Sequence, residues 1–477
     1  VYPDSILWLL PLELLWIAFI STWIVLEKRR PSATLAWIFA LIWLPIIGFV
    51  VYLVLGPRKL ERKRLRHVLA RQVVGSAAPQ APAPPEPVEA ALSERVRQLE
   101  SLGVATGEGP ILPARAATLY ADGASAYAAI EAAIRAARHH VHLTYYIVAP
   151  DAAGRWLRDL LVDRARAGVE VRLLVDAIGS ARLGRRFLRP LREAGAEVAV
   201  FNPIGFARFR PSLVNFRTHR KIVVVDGEVG FTGGMNICDE QSATFSGERA
   251  WRDTHLRLEG DGVRWLQKVF LEDWHFARGE APTSAAYLPA PAAEGTVPVQ
   301  VLSSGPDEQR HPIEKAFYAA IAGARQRVWA TTPYFVPGAA MIATLSTAAL
   351  RGVDVRLIVP RRGDSRLVDA AARSSFGELL RSGVRIFAYR PTMLHAKTLV
   401  VDDEVAYVGT ANLDNRSFRL NFEVVVALYH PPTVARLAEL FEADLGSSEP
   451  ITAEELAADS LPARIAQGVA RLFTPLL

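Results

Sequence analysis

His219 and Lys221 recur as His395 and Lys397, at a fixed offset of 176 residues. The same offset carries Asp226 to Asp402, Gly233 to Gly409 and Asn236 to Asn412. The two phrases read THRKIVVVDGEVGFTGGMN and LHAKTLVVDDEVAYVGTAN, and they align without a gap. An imidazole can attack phosphorus or move a proton. Lysine and asparagine can hold phosphate oxygens and neutralise charge in a transition state. In-line displacement at a phosphodiester needs an attacker on one side and a proton donor for the leaving oxygen on the other. One copy supplies one histidine, and two copies facing each other across a pseudo-twofold axis supply both. The set therefore points to phosphoryl transfer. A single HxK pair matches by chance and is most simply a β-hairpin with solvated polar ends; two in-phase copies are a far stronger signal. A metal site is not expected. Each histidine sits beside a lysine whose charge opposes a cation, and no other cluster has ligand spacing.

Each phrase must be held by its own elements. IVVV and TLVV read as buried strands, each running into an aspartate turn and returning as a second strand. In such a hairpin His219 and Lys221 share a face, as do His395 and Lys397. Upstream of the first phrase, VHLTYYIV (141–148) and VEVRLLVD (169–176) read as strands, with helices between. Upstream of the second, VWATTPYFV and VDVRLIVP (353–360) repeat the order. ARAGVEVRLLV and ALRGVDVRLIV are cognate, so the repeat covers whole domains. Helix–strand alternation implies α/β layers.

The front of the chain differs. Residues 6–26 carry one charge, Glu13, and residues 35–55 carry none. Each is long enough to cross a bilayer as a helix, so a two-helix membrane hairpin, crossing or re-entrant, is expected over 1–57. Arg58, Lys59, Arg62, Lys63, Arg64 and Arg66 follow it and place the large domain in the cytoplasm by charge. The link between the segments also carries Lys28, Arg29 and Arg30, so that signal is mixed. The chain opens on Val1 and not on methionine, so residues upstream of it are expected. Residues 75–89 are Pro/Ala-rich and read as a linker within 58–91. A first domain over 92–288 and a second over 289–477 follow. The net charge of +6, with basic residues beside an apolar segment, favours an anionic membrane surface over nucleic acid as partner. Cys238 is the chain's one cysteine and reads as a small packed residue. Residues 201–217 interleave phenylalanine with arginine and suit a lipid-facing loop, a pattern also found in nucleic-acid binders, or core packing. The stretch LPARIAQGVARLFTPLL stays open between an interfacial helix and a docked one.

The two phrases match the HKD motif, H-x-K-x4-D followed by G-G/S/T-x-N, and the chain resembles the phospholipase D superfamily. With its apolar N-terminal segments, TPYFVP and GTANLDNRSFRLNFEV, it is similar to bacterial cardiolipin synthases along nearly its whole length. The resemblance implies two tandem α/β-sandwich domains of that type, related by a pseudo-twofold axis, behind the membrane hairpin. It implies phosphatidyl transfer between two phosphatidylglycerol molecules at the inner membrane, on its cytoplasmic side, without metal or other cofactor. A hydrolytic phosphodiesterase, a nuclease, a phosphatidylethanolamine donor and an inactive scaffold are the alternatives; a homodimer is left open. His219 is expected as the nucleophile and His395 as the acid/base, with Lys221, Lys397, Asp226 and Asp402 completing the catalytic motifs. Asn236 and Asn412 are expected on phosphate. The family also has an acidic residue that fixes each histidine's tautomer. Glu423 lies 28 residues beyond His395 and matches; the same offset from His219 lands on Gly247, so an insertion would move that role to Asp253. Thr218 stands where such synthases often have asparagine.

Overall fold

The structure is a computed structural model that describes residues 9–26, 31–43, 74, 92–203, 216–280, 284–290, 295–308, 310–475 and 477. Two helices at the front, Leu9–Leu26 and Pro31–Trp43, form a unit of their own. They meet through Ile20, Ile24 and Leu41. Among the described residues no helix is long and apolar enough to cross a membrane. Neither span expected from the sequence is described in full: residues 6–8 of the first and 44–55 of the second lie outside the described residues. The basic segment, the linker at 75–89 and most of the Phe/Arg-rich loop (204–215) also lie outside them.

The second unit is built on β-strands in chain order. They are β1 (Leu112–Tyr120), β2 (His140–Tyr145), β3 (Glu170–Asp176), β4 (Glu197–Phe201), β5 (Ile222–Val225), β6 (Val229–Gly233) and β7 (His255–Gly260). Then come β8 (Val297–Ser304), β9 (Arg327–Thr331), β10 (Phe335–Val336), β11 (Asp354–Pro360) and β12 (Arg385–Tyr389). The last are β13 (Thr398–Val401), β14 (Val405–Gly409), β15 (Leu413–Asp414), β16 (Glu423–Leu428) and β17 (Ser448–Pro450). Fifteen of them make one sheet, and β10 pairs with β15 apart from it. Outward from the β1/β8 junction the order is β7, β6, β5, β2, β3, β4 on one side. On the other it is β16, β14, β13, β9, β11, β12, β17. Six strands on each side therefore lie as far from the centre as their sequence counterparts do, and β17 is added at the outer edge of the second side. β1 and β8 run antiparallel, with Pro113 opposite Pro298. Antiparallel pairing of counterparts is what a twofold axis through the sheet produces.

Why these residues form this sheet is plain from their composition. IVVV in β5 and EVVVAL in β16 are buried along their whole length, as strands covered by helices on both faces must be. The expected hairpins are β5/β6 and β13/β14, paired Val225↔Val229 and Val401↔Val405. VWATTPYFV does not form one strand. It breaks between Thr331 and Phe335, around Pro333, and its second part joins β15 instead. Proline has no amide hydrogen for the ladder.

The halves are more entangled than a boundary near 289 suggests. The helix Glu94–Ala105, assigned by sequence to the first domain, buries Val96 and Leu99 among Ile313, Phe317, Tyr407 and other residues of the second. A further cluster joins Ile222 and Leu256 of the first half to Val400 and Val424 of the second.

Asp226 and Asp402, expected among the catalytic residues, are not among the residues that line the cleft of His219 and His395. They sit at the far ends of β5 and β13, in the hairpin turns, with φ of 53° and 52°. Asp226 accepts from the amides of Arg138, His139 and His140, each at 2.8 Å. Asp402 accepts from the amides of Arg325, Gln326 and Arg327 and from the Arg95 guanidinium. Each aspartate thus ties the start of a neighbouring strand to the hairpin turn. Asp402→Ala should lower stability by about 2–4 kcal/mol, because several bonds to a charged acceptor vanish and a methyl side chain occupies a left-handed position. Thermal unfolding would measure this. Turnover per folded molecule at low temperature should stay within about threefold; a far larger loss would restore Asp402 to the chemistry.

Candidate active site

His219 and Lys221 precede β5, and His395 and Lys397 precede β13; all four are buried. Short parallel bridges, Thr218↔Phe422 and Arg252↔Leu394, bind each motif to the opposite half. The His219 amide donates to the Phe422 carbonyl at 2.8 Å, and the His395 amide donates to the Arg252 carbonyl at 2.7 Å. The residue after each of these carbonyls is an acid. The acids therefore cross over. His219 Nδ1 donates to Glu423 Oε2 at 3.0 Å, and His395 Nδ1 donates to Asp253 Oδ2 at 2.7 Å. Counting each acid from the histidine of its own half finds the residues but not the pairing.

The two sites differ in how they seat their acid. Thr410 Oγ1 donates to Glu423 Oε2 at 2.5 Å, and Asn421 Nδ2 donates to Oε1 at 3.2 Å. At the counterpart of Thr410 stands Gly234, where an added Cβ would lie 2.0 Å from Asp253 Oδ1. This is the physical reason for GG in one motif and GT in the other. Arg220 points away from the cleft and knits the halves together. It pairs with Asp273 at 2.6 Å and donates to the carbonyls of Glu423 and Ser304.

Charge in the site follows from burial and these partners. Burial pushes His219 down to about 4; Glu423 pulls it up and Lys221 pushes it down. Burial and Lys397 push His395 down to about 3 against the pull of Asp253. Burial alone would raise Glu423, but His219, Lys221 and Thr410 outweigh it and hold the carboxyl low. Burial would also raise Asp253, and Lys397 and His395 outweigh it there. Both rings are thus neutral at neutral pH. His219 Nδ1–H is shared between Glu423 and the Thr410 carbonyl at 3.1 Å. His395 Nδ1 has Lys397 Nζ at 2.9 Å as well as Asp253; we place its hydrogen there because an ionised carboxylate can only accept, which leaves Nε2 of each ring for the cleft. Burial lowers Lys221 well below its ordinary value and lowers Lys397 to about 8. The Lys221 ammonium donates to the His219 carbonyl at 2.6 Å, and that of Lys397 to the His395 carbonyl.

His219, His395, Asn236 and Asn412 line one cleft of about 520 Å³. Asn236 Oδ1 accepts from the Ile147 amide, while Asn412 Oδ1 is buried and has no hydrogen-bond partner among the described residues. The Thr218 hydroxyl is buried too and has none among the described residues. Sequence reasoning did not place Tyr146, Trp251, Tyr334, Asp364 or Arg416, which line the same cleft. Tyr146 and Tyr334 stand edge-on to His219 and His395, at 5.1 and 6.4 Å. Their signal was present, since TYYIV and TPYFV occupy cognate places. Among the described residues no group of three or more His, Cys, Asp or Glu is arranged to hold a metal ion.

A family model described as "Cardiolipin synthase, PLD-like domain" matches residues 130–274 and 317–445, more than half of the chain. A second, "Phospholipase_D-nuclease N-terminal", matches residues 14–57. The chain is 39% identical over 463 residues to "Cardiolipin synthase" of Geobacillus kaustophilus (strain HTA426), covering 97% of this chain and 92% of that one. It is 38% identical over 474 residues to "Cardiolipin synthase 1" of Bacillus anthracis, covering 96% and 92%. Among solved structures, a phosphatidylserine synthase of Haemophilus influenzae Rd KW20 superposes with a TM-score of 0.59 at 16% identity. That match covers 80% of this chain and all of the other, a likeness of fold. With matching motifs, fold and near-full-length relatives in hand, the chain belongs to the phospholipase D-like cardiolipin synthase family.

Proposed function

We propose that this chain is a phosphatidyltransferase that joins two phosphatidylglycerol molecules into cardiolipin and releases glycerol. The observation that carries the reading is the crossed arrangement of two histidine–carboxylate pairs on one cleft. In the first step His219 Nε2 bonds to the phosphorus of one phosphatidylglycerol. The bond from phosphorus to the head-group glycerol oxygen breaks, and His395 gives that oxygen a proton. In the second step His395 takes the proton from a hydroxyl of a second phosphatidylglycerol. That oxygen bonds to phosphorus, the P–N bond breaks, and His219 is restored. The lysines and asparagines balance charge on the phosphoryl oxygens. His395 must carry a proton to act as acid, and a phosphodiester anion entering the cleft favours its charged form. The reading includes work at the inner membrane with the catalytic domains on the cytoplasmic side. It rests there on the apolar segments at 6–26 and 35–55 and the basic residues after them.

Lipid mass spectrometry after incubation with labelled phosphatidylglycerol tests the reaction. Cardiolipin and free glycerol are expected. Phosphatidic acid as the main product would mean hydrolysis, and label from phosphatidylethanolamine in cardiolipin would mean another donor. On mixed micelles kcat/KM should fall as pH rises through about 8, where Lys397 loses its proton and its charge on the transition state. A rate flat to pH 10 would remove Lys397 from that role.

A further inference from the structure

The helix Leu461–Leu472 is docked the wrong way round for a surface helix. At about 3.6 residues per turn, Leu461, Ile465, Val469 and Leu472 share one side, and Ala463, Gln467 and Ala470 share the opposite side. A surface helix ordinarily turns its large apolar stripe inward. Here Ala470 is 1% exposed, whereas Leu461 is 68%, Ile465 58% and Leu472 77% exposed. Phe473, just past the helix, is exposed as well. The small side is firmly held. Ala470 packs with Ala371 and Val336, backed by Val368 and Leu477. Gln467 Nε2 donates to Asp459 Oδ2 at 2.8 Å, and Asp459 in turn pairs with Arg373 at 2.7 Å.

The helix sits beside the cleft. Just past the helix, Asn415 Nδ2 donates to the Thr474 carbonyl at 3.2 Å, and the Arg416 amide donates to the Leu477 carbonyl at 2.9 Å. Leu477 and Val368 line the cleft that holds His219 and His395. Arg464 and Arg471 are exposed and lie beside the apolar stripe, on the flank between it and the docked side. Long basic side chains in that position keep their stems on apolar surface and their charges at a phosphate layer. We infer that the outward face of Leu461–Leu472 is a membrane-docking surface, which enters the interface of an anionic bilayer and sets the cleft mouth against its lipid. This rests on the reading of the substrate as a bilayer phospholipid.

The test uses the full chain. Cys238 is its one cysteine, is buried, and has a thiol pushed well up by burial. Cysteines introduced as Val469→Cys and Leu472→Cys therefore take an environment-sensitive fluorophore selectively. In vesicles of phosphatidylglycerol and phosphatidylcholine, both labels should be quenched by lipids that carry a quencher in the acyl chain, and shielded from aqueous iodide. Ile465→Glu combined with Leu472→Glu changes only outward side chains. It should lower turnover on such vesicles about tenfold and leave turnover in mixed micelles within about twofold. Labels open to iodide in every vesicle would overturn the inference. So would labels already shielded before lipid is added, since another part of the chain or a second copy would then cover the face. Wild-type protein that makes no cardiolipin in mixed micelles would instead sink the reading of the reaction, whatever the labels report.

Discussion

His219→Ala and His395→Ala are each expected to reduce turnover by roughly 10⁴-fold or more, because each removes one of two non-equivalent roles at one phosphorus. The two rings line the same cleft, yet on the proposed mechanism neither replaces the other, since in-line displacement sets attack and protonation on opposite sides of the phosphodiester. Circular dichroism should show both variants folded. With phosphate-labelled phosphatidylglycerol and an alkaline quench, which preserves a phosphohistidine, label should be recovered on the peptide that carries His219. Label on the His395 peptide would exchange the two roles and leave the two-histidine site standing. Near-normal turnover in either variant would end that site altogether.

How much of this could be read from the chain depends on the distance over which each feature is decided. The hairpins β5/β6 and β13/β14 are local. An apolar run that ends in an aspartate turn announces them, and the structure pairs them so. The repeat at a fixed offset pointed to the twofold relation, which the mirrored strand order shows. The crossing of Glu423 to His219 and of Asp253 to His395 was not legible, because it depends on bridges between segments about 140 to 200 residues apart. Nor was the work of Asp226 and Asp402. A carboxylate after a buried strand has the same letter whether it serves chemistry or clamps three amides. The helix Glu94–Ala105 carries an ordinary amphipathic pattern, and periodicity tells which of its residues are buried but not in which core. The stripe of Leu461–Leu472 shows the converse. Its period is visible in the sequence, while the side that faces the protein is settled by packing against Ala371 and Val336.

The crossed acids lead to an expectation that separates the two histidines by chemistry. Glu423→Gln keeps the shape of the side chain and removes its charge. An amide nitrogen facing His219 Nδ1 would favour the tautomer with hydrogen on Nε2, leaving no lone pair for attack. Asp253→Asn does the same to His395. Each should lower turnover of phosphatidylglycerol by about 10²–10⁴-fold. A phosphatidyl ester of p-nitrophenol distinguishes them, because its leaving anion departs without a proton. Asp253→Asn, although its half of the chain contains His219, should then regain a burst of about one equivalent of nitrophenolate, for only the proton donor is impaired. Glu423→Gln should regain none, since the nucleophile itself is disabled. The reverse outcome would assign attack to His395. Rescue of both variants would mean that neither carboxylate controls the attacking nitrogen, and that the 3.0 Å and 2.7 Å contacts serve packing instead of tautomer choice.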